Sequence, residues 1–300
     1  MIEKYFIPYE PTQLTGRHFA VIAPHPDDEV FGCGGTIALA SGNSIKISVL
    51  VLTDGSGQPG EAGITRKEES RKAGTILGYD DITFWDLPDG GLFRQSDLDD
   101  RIREWLEARQ PDNVFFPSVW EMHRDHRATA EAALRACDQA QLSSSLRCLM
   151  YEVGYPLQPN CLIDISETRI KKQRAMAVFA SQLAHQQYDR HISALNIFRT
   201  YTLSKNVQAA EAFKIISKSE IGDFLHRNTP IAFSEALHQA TCELEELKCQ
   251  LEKQNVLAAR LGQLEGELFA IKSSRCWRWS APFRLVSRML ARAFKLESKK

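Results

Sequence analysis

Phe19-Ala20-Val21-Ile22-Ala23-Pro24-His25-Pro26-Asp27-Asp28-Glu29, running on into Gly32-Cys33-Gly34-Gly35, is the stretch from which the rest of the chain is read. An apolar run, a proline-bounded polar turn and a glycine-rich segment predict a buried strand, a sharp turn and the start of a helix. Polar side chains at the carboxyl end of such a strand lie where open α/β sheets bind ligands. One imidazole and two carboxylates this close together can hold a divalent metal and leave a carboxylate over. A second cluster, His123-Arg124-Asp125-His126, follows a second apolar run, Val114-Phe115-Phe116-Pro117.

Working outward, the first strand covers residues 19–23 and the first helix residues 30–41. Ile45 to Thr53 is apolar almost throughout, as a strand covered on both faces should be. Glycines and a proline make residues 54–60 a loop. Helices are expected over Arg66 to Leu77, closed by Gly78, over Leu98 to Arg109, ending before Pro111, and over His126 to Cys137. Short strands are expected at Ile82 to Trp85, Asn113 to Pro117, Leu146 to Val153 and Cys161 to Ile165, and a last helix at Glu167 to Leu183. The alternation predicts an α/β fold, a Rossmann-like, mostly parallel sheet with helices on both faces. Right-handed crossovers then bring both polar clusters to the same sheet edge.

At 43% hydrophobic and 25% charged residues, the 300-residue chain has an ordinary soluble composition, enough for one sizeable domain with extra elements or two small ones. A net charge of −1 gives no overall field for nucleic acid or membrane. Seven cysteines, an odd number without a C-x-x-C pair, favour a reducing compartment over a disulfide framework. The first residues lack the basic-then-apolar pattern of a signal peptide, and no apolar run of about 18 residues is present. A cytoplasmic protein is expected.

A catalytic zinc ion takes three protein ligands and keeps a place for water. His25 and Asp28 supply two, and His126 the third. Asp27 is left to take a proton from the water, whose pKa zinc lowers to about 7. Asp125 can orient an imidazole, and His123 can donate to an oxyanion or to a leaving amine. Taken singly, a histidine beside a strand is more often structural, and Asp28 could simply cap a helix. Two clusters, each with His and Asp at a strand end, favour the metal. Fe(II) suits the same ligands.

The strand, PHPDDE and glycine-rich helix start resemble the signature of the PIG-L/LmbE family of zinc-dependent de-N-acetylases, which carries a second His-x-Asp-His motif about a hundred residues on. The resemblance covers roughly residues 17–205, with Arg124 where the family usually has proline. It implies zinc ligands at His25, Asp28 and His126, Asp27 as general base, His123 stabilising the tetrahedral intermediate and Asp125 as its charged neighbour. It also implies substrate-binding roles for Arg66, in an Arg-x-x-Glu stretch, and for Asp89, in Pro88-Asp89-Gly90-Gly91.

The glycines at 32–35 lack the spacing and lysine of a phosphate loop and are read as permitting close helix packing. Cys33 is read as a small buried residue. His185 and His191 fall in a polar segment after the last helix; solvation is their default, with a place in the cleft left open for His185.

Beyond residue 225 the chain changes character. Leu237, Ala240, Leu244, Leu247, Leu251, Ala258, Leu261 and Leu268 are spaced as a heptad seam, imperfect where Gln254 falls on it and Leu264 beside it. A self-associating coiled coil is expected, against the alternative of one amphipathic helix packed on the catalytic domain. Residues 273–300 interleave basic and apolar side chains, which fits an anionic membrane surface better than nucleic acid. Ser274-Arg275-Cys276-Trp277-Arg278 through Pro282 and Arg284 also resembles an ending of bacterial glycosyltransferases of surface-polysaccharide assembly, which implies such enzymes as partners at the inner face of the membrane. The expected organisation is a deacetylase domain at 1–225, a coiled coil at 226–272 and a basic tail at 273–300. The expected function is removal of acetyl from an N-acetylated amino sugar on a lipid or oligosaccharide of surface-glycan (lipopolysaccharide) synthesis. The alternatives are a non-catalytic assembly factor for glycosyltransferases, or a zinc amidase acting on a small acylated metabolite.

Overall fold

The computed structural model describes residues 6–56, 61–228 and 231–273. The chain forms two compact units, Met1–Ile231 and Ala232–Lys300.

The first unit is built on a seven-stranded sheet. Its strands are β1 (His18–Ala23), β2 (Lys46–Thr53), β3 (Asp81–Leu87), β4 (Asn113–Pro117), β5 (Arg147–Tyr151), β6 (Cys161–Asp164) and β7 (Ala210–Ser217), in the order β3-β2-β1-β4-β5-β7-β6. The strands from β3 to β5 are parallel, and β7 runs antiparallel to both β5 and β6. The expected α/β, mostly parallel sheet is present.

Successive residues of each strand serve opposite faces. Phe19, Val21 and Ala23 of β1 join one core with α1 (Asp28–Gly42), α2 (Glu61–Leu77), α5 (Arg169–Met176) and α7 (Tyr188–Phe198). Ala20 and Ile22 join the other, with α3 (Leu98–Arg109), α4 (Arg124–Gln139) and α8 (Ile221–Asn228). Burial on both faces is why these strands are apolar at nearly every position.

Two expectations need correcting, and one strand carries no signal in the sequence. Glu167 to Leu183 is not one helix: α5 stops, residues 177–179 turn, and a short α6 (Ala180–Leu183) follows. The turn drives Phe179 into the core, its ring 5.9 Å from that of Phe31. His191 lies in a further helix, α7, rather than beyond the last one, and is exposed. The strand β7 was not expected, because Glu211 and Lys214 interrupt its apolar pattern.

The described part of the second unit is a single long helix, α9 (Ile231–Ser273). Among the described residues no helix is long and apolar enough to cross a membrane. The basic tail lies, from residue 274 onward, outside the described residues.

Candidate active site

The chain runs from β1 to β2 and β3 on one side, then returns to β4 and β5 on the other. The strand order therefore reverses between β1 and β4, and both polar clusters follow the carboxyl ends of those two strands, the crevice where open sheets take ligands.

The first cluster sits on a strained turn. Asp27 has φ 138° and ψ −32°, a backbone that L-residues rarely adopt. Neighbouring bonds hold it there. The Thr53 hydroxyl and amide both donate to Pro24 O (2.8 and 2.9 Å), and the Asp27 amide donates to Glu29 Oε2 (3.0 Å). Glu29 is fully buried and accepts from the Ser70 hydroxyl and, at 3.2 Å, from Tyr79. Behind the turn, α1 packs tightly enough that a Cβ on Gly32 would stand 2.3 Å from the Tyr151 ring. At Cys33 the helix breaks (φ −139°, ψ 22°), and the buried Glu211 of β7 accepts from the freed amides of Gly35 and Thr36, both at 2.8 Å. Lys172 pairs with Glu211 at 2.6 Å. The glycines thus permit close packing, as their spacing implied.

The second cluster starts α4. His123 caps that helix, its Nδ1 accepting from the Asp125 amide at 3.2 Å, so the ring's remaining proton is on Nε2. Asp125 is fully buried and accepts from the amides of Gly90 (2.7 Å) and Leu92 (3.2 Å). That pins the turn carrying Asp89 over the site.

The clusters meet. Asp28 Oδ2 lies 3.0 Å from His25 Nδ1 and 3.2 Å from His126 Nε2. Ligand atoms of a tetrahedral zinc, about 2.0–2.2 Å from the ion, are separated by about 3.3–3.5 Å, so these contacts have the scale of a coordination edge. His25 also stands in two groups of three ligating side chains, with His123 and His126 and with Asp89 and Asp125. Neither group includes Asp28, and the second nitrogens of the two imidazoles bear on which set is used. His25 Nε2 faces Asp89 Oδ1 at 3.1 Å and Asp125 Oδ2 at 3.6 Å, and Asp125 is already engaged by two amides. His126 Nδ1 is buried without a hydrogen-bond partner among the described residues, and Glu121 Oε2 stands 3.6 Å from it. Each imidazole thus turns one nitrogen to Asp28 and the other toward a carboxylate, the arrangement in which metal-ligating histidines are held.

The electrostatics agree. Burial works against ionised Asp28, yet the two imidazoles, His126 foremost, hold it far below the usual carboxylate range. Burial likewise disfavours charge on the histidines, but carboxylate neighbours raise His25 well above its ordinary value and His126 to about 9. The donor set thus demands positive charge, which a divalent cation would supply in place of imidazole protons. His123, desolvated and beside two positive rings, is lowered instead. Asp27 is raised to about 7 by burial, against the Arg66 guanidinium and with the Asp28 carboxylate pushing it further up.

Arg66 is buried against the first turn. Its Nη2 donates to Asp27 Oδ2 (2.8 Å) and Pro26 O (3.0 Å), and its Nη1 to Gly55 O. Gly55 has φ +62°, and a Cβ there would stand 2.6 Å from Arg66 Nη1. His185 is exposed in the turn after α6. Two carboxylates escaped the sequence reading. Glu29 ends the PHPDDE motif, yet nothing in the sequence marks it as the buried acceptor that holds the turn. Glu121 has no motif around it; its side chain accepts from the amides of Val153 (2.8 Å) and Gly154 (3.0 Å), joining two loops behind His126. Only its place three residues after Ser118, at the end of β4, hinted at it.

The family model described as PIG-L, GlcNAc-PI de-N-acetylase, matches residues 20–137. The diacetylchitobiose deacetylase of Thermococcus kodakarensis is 31% identical over 182 residues, covering 54% of this chain and 68% of that protein. A probable N-acetyl-alpha-D-glucosaminyl L-malate deacetylase of Bacillus anthracis is 29% identical over 189 residues, covering 56% of this chain and 82% of its own length. The solved N,N'-diacetylchitobiose deacetylase of Pyrococcus horikoshii, complexed with an inhibitor, shares the fold, with a TM-score of 0.61 and 24% identity over 72% of this chain and 88% of that one.

Proposed function

This chain belongs to the PIG-L (GlcNAc-PI de-N-acetylase) family, and on that footing we propose that it hydrolyses the acetamido group of an N-acetylated amino sugar, releasing acetate and leaving a free amine. The observation that carries the reading is Asp28 Oδ2 lying between His25 Nδ1 and His126 Nε2, with a further carboxylate behind each ring.

In this reading His25, Asp28 and His126 would hold a divalent cation, zinc or Fe(II). When bound, that cation would supply Lewis-acid polarisation of the amide carbonyl and would lower the pKa of a water to about 7. Asp27 accepts a proton from the attacking water, and a carboxylate raised to about 7 suits that task near neutral pH. As the C–N bond breaks, the same proton passes to the departing nitrogen, so the base is regenerated. His123, neutral and with its proton on Nε2, donates a hydrogen bond to the oxygen that gains charge in the tetrahedral intermediate. Arg66 holds the Asp27 carboxylate in place through the 2.8 Å ion pair. Asp89 and Asp125 orient His25.

For the substrate's carrier, the resemblance of residues 274–284 to glycosyltransferase endings supports a lipid- or oligosaccharide-linked intermediate of surface-glycan assembly. Acetate release from matched free, oligosaccharide-linked and lipid-linked N-acetylhexosamines tests both levels. Release from a linked substrate, abolished by His126→Ala, is expected. Release from none would remove the activity, and equal rates on all three would remove the carrier preference.

A further inference from the structure

A line of leucines along α9 faces solvent: Leu247, Leu251, Leu257, Leu261, Leu264 and Leu268 are between 47% and 67% exposed. We propose that this face is covered by α9 of a second copy of the chain, in a parallel, two-stranded coiled coil whose seam shifts register once. The inference is independent of the active-site chemistry.

The register explains why the seam looked imperfect. Leu237, Ala240, Leu244, Leu247 and Leu251 occupy alternating a and d positions without a break. Continued unchanged, that repeat would place the next d residue at Gln254. On the unshifted repeat Ala258, Leu261 and Leu268 would follow, with Glu265 at an a position between them; shifted by three residues, Leu257, Leu261, Leu264 and Leu268 follow as d, a, d and a without interruption. The two halves are each regular and are joined by a three-residue insertion, a stammer, which overwinds a coiled coil locally rather than ending it. Leu264, off the first register, lies on the second.

The flanking charges choose the partner and its direction. In a parallel pair each g residue meets the e residue five positions on in the other helix. In the second run Arg260 is at g with Glu265 at e, and Glu267 is at g with Lys272 at e. In the first run Glu243 is at g and Lys248 at e. Within the two runs every charged g position is thus matched by an opposite charge at its e partner, a self-complementarity that only a parallel copy of the same sequence uses. Among the described residues Arg260 and Glu267 hydrogen-bond Gln263 within their own helix, at 2.7 and 3.1 Å. Gly262 and Gly266 fall at b and f, off the seam.

The test uses the full chain. Light scattering at tens of micromolar should give twice the chain mass. In glutathione buffer Leu261→Cys should form an interchain disulfide, because an a residue meets its own copy, while Ala259→Cys at f should not. Arg260→Glu should weaken the dimer roughly fivefold or more, and adding Glu265→Arg should restore it. A monomer, a higher oligomer, a dimer that Leu261→Cys does not cross-link, or one indifferent to the charge swap would overturn the proposal.

Discussion

Asp27 and Asp28 are adjacent and chemically identical, yet their surroundings drive them to opposite states. Asp28 lies between two imidazoles and is held ionised; Asp27, on a strained backbone and buried against Arg66, is raised to about 7. One carboxylate is thereby suited to hold a cation and the other to exchange a proton. Asp27→Asn should retain bound metal and lose about 100-fold or more in kcat, the usual weight of a general base; a variant with wild-type turnover would strip Asp27 of that role. Glu121 acts at one remove. Glu121→Gln should weaken metal affinity about 10–100-fold, as loss of a carboxylate behind a ligating imidazole generally does. Competition with a chelator measures it, and unchanged affinity would mean that the 3.6 Å approach to His126 carries no orienting force.

At the scale of elements, the strands entering the site were legible because burial on both faces leaves them little but apolar residues. The clusters were legible because the chemistry is concentrated in short runs after β1 and β4. What escaped was structure made by long-range compensation. The strand β7 carries a buried Glu211 that no local pattern explains; it is balanced by Lys172 of α5 and used to cap the break in α1. The turn between α5 and α6 depends on Phe179 finding the core and on Ser181 donating to Glu69 at 3.0 Å, neither visible in helical periodicity. Glu121 was missed for the same reason, since its partners are amides more than thirty positions along the chain. Lys172→Met should therefore cost about 3–5 kcal/mol, the penalty for leaving a buried carboxylate unpaired. Denaturant unfolding measures it, and a loss below about 1 kcal/mol, the scale of an exposed ion pair, would show that Glu211 is adequately satisfied by the two amides and the Thr36 hydroxyl.

At the scale of the whole molecule, the fold does one decisive thing: it reverses strand order between β1 and β4 and so brings residues 25–28 and 123–126 into a single crevice. Strain at Asp27, the close approach at Gly32 and the buried Glu29 and Asp125 all hold that meeting point in place. Equilibrium dialysis against zinc tests it most directly, on wild type and on His126→Ala, a substitution remote in sequence from the first cluster. Wild type should bind one equivalent tightly, and His126→Ala should retain almost none, because only two of the three proposed ligands, His25 and Asp28, remain. A His126→Ala protein that binds one equivalent with wild-type affinity would contradict the account.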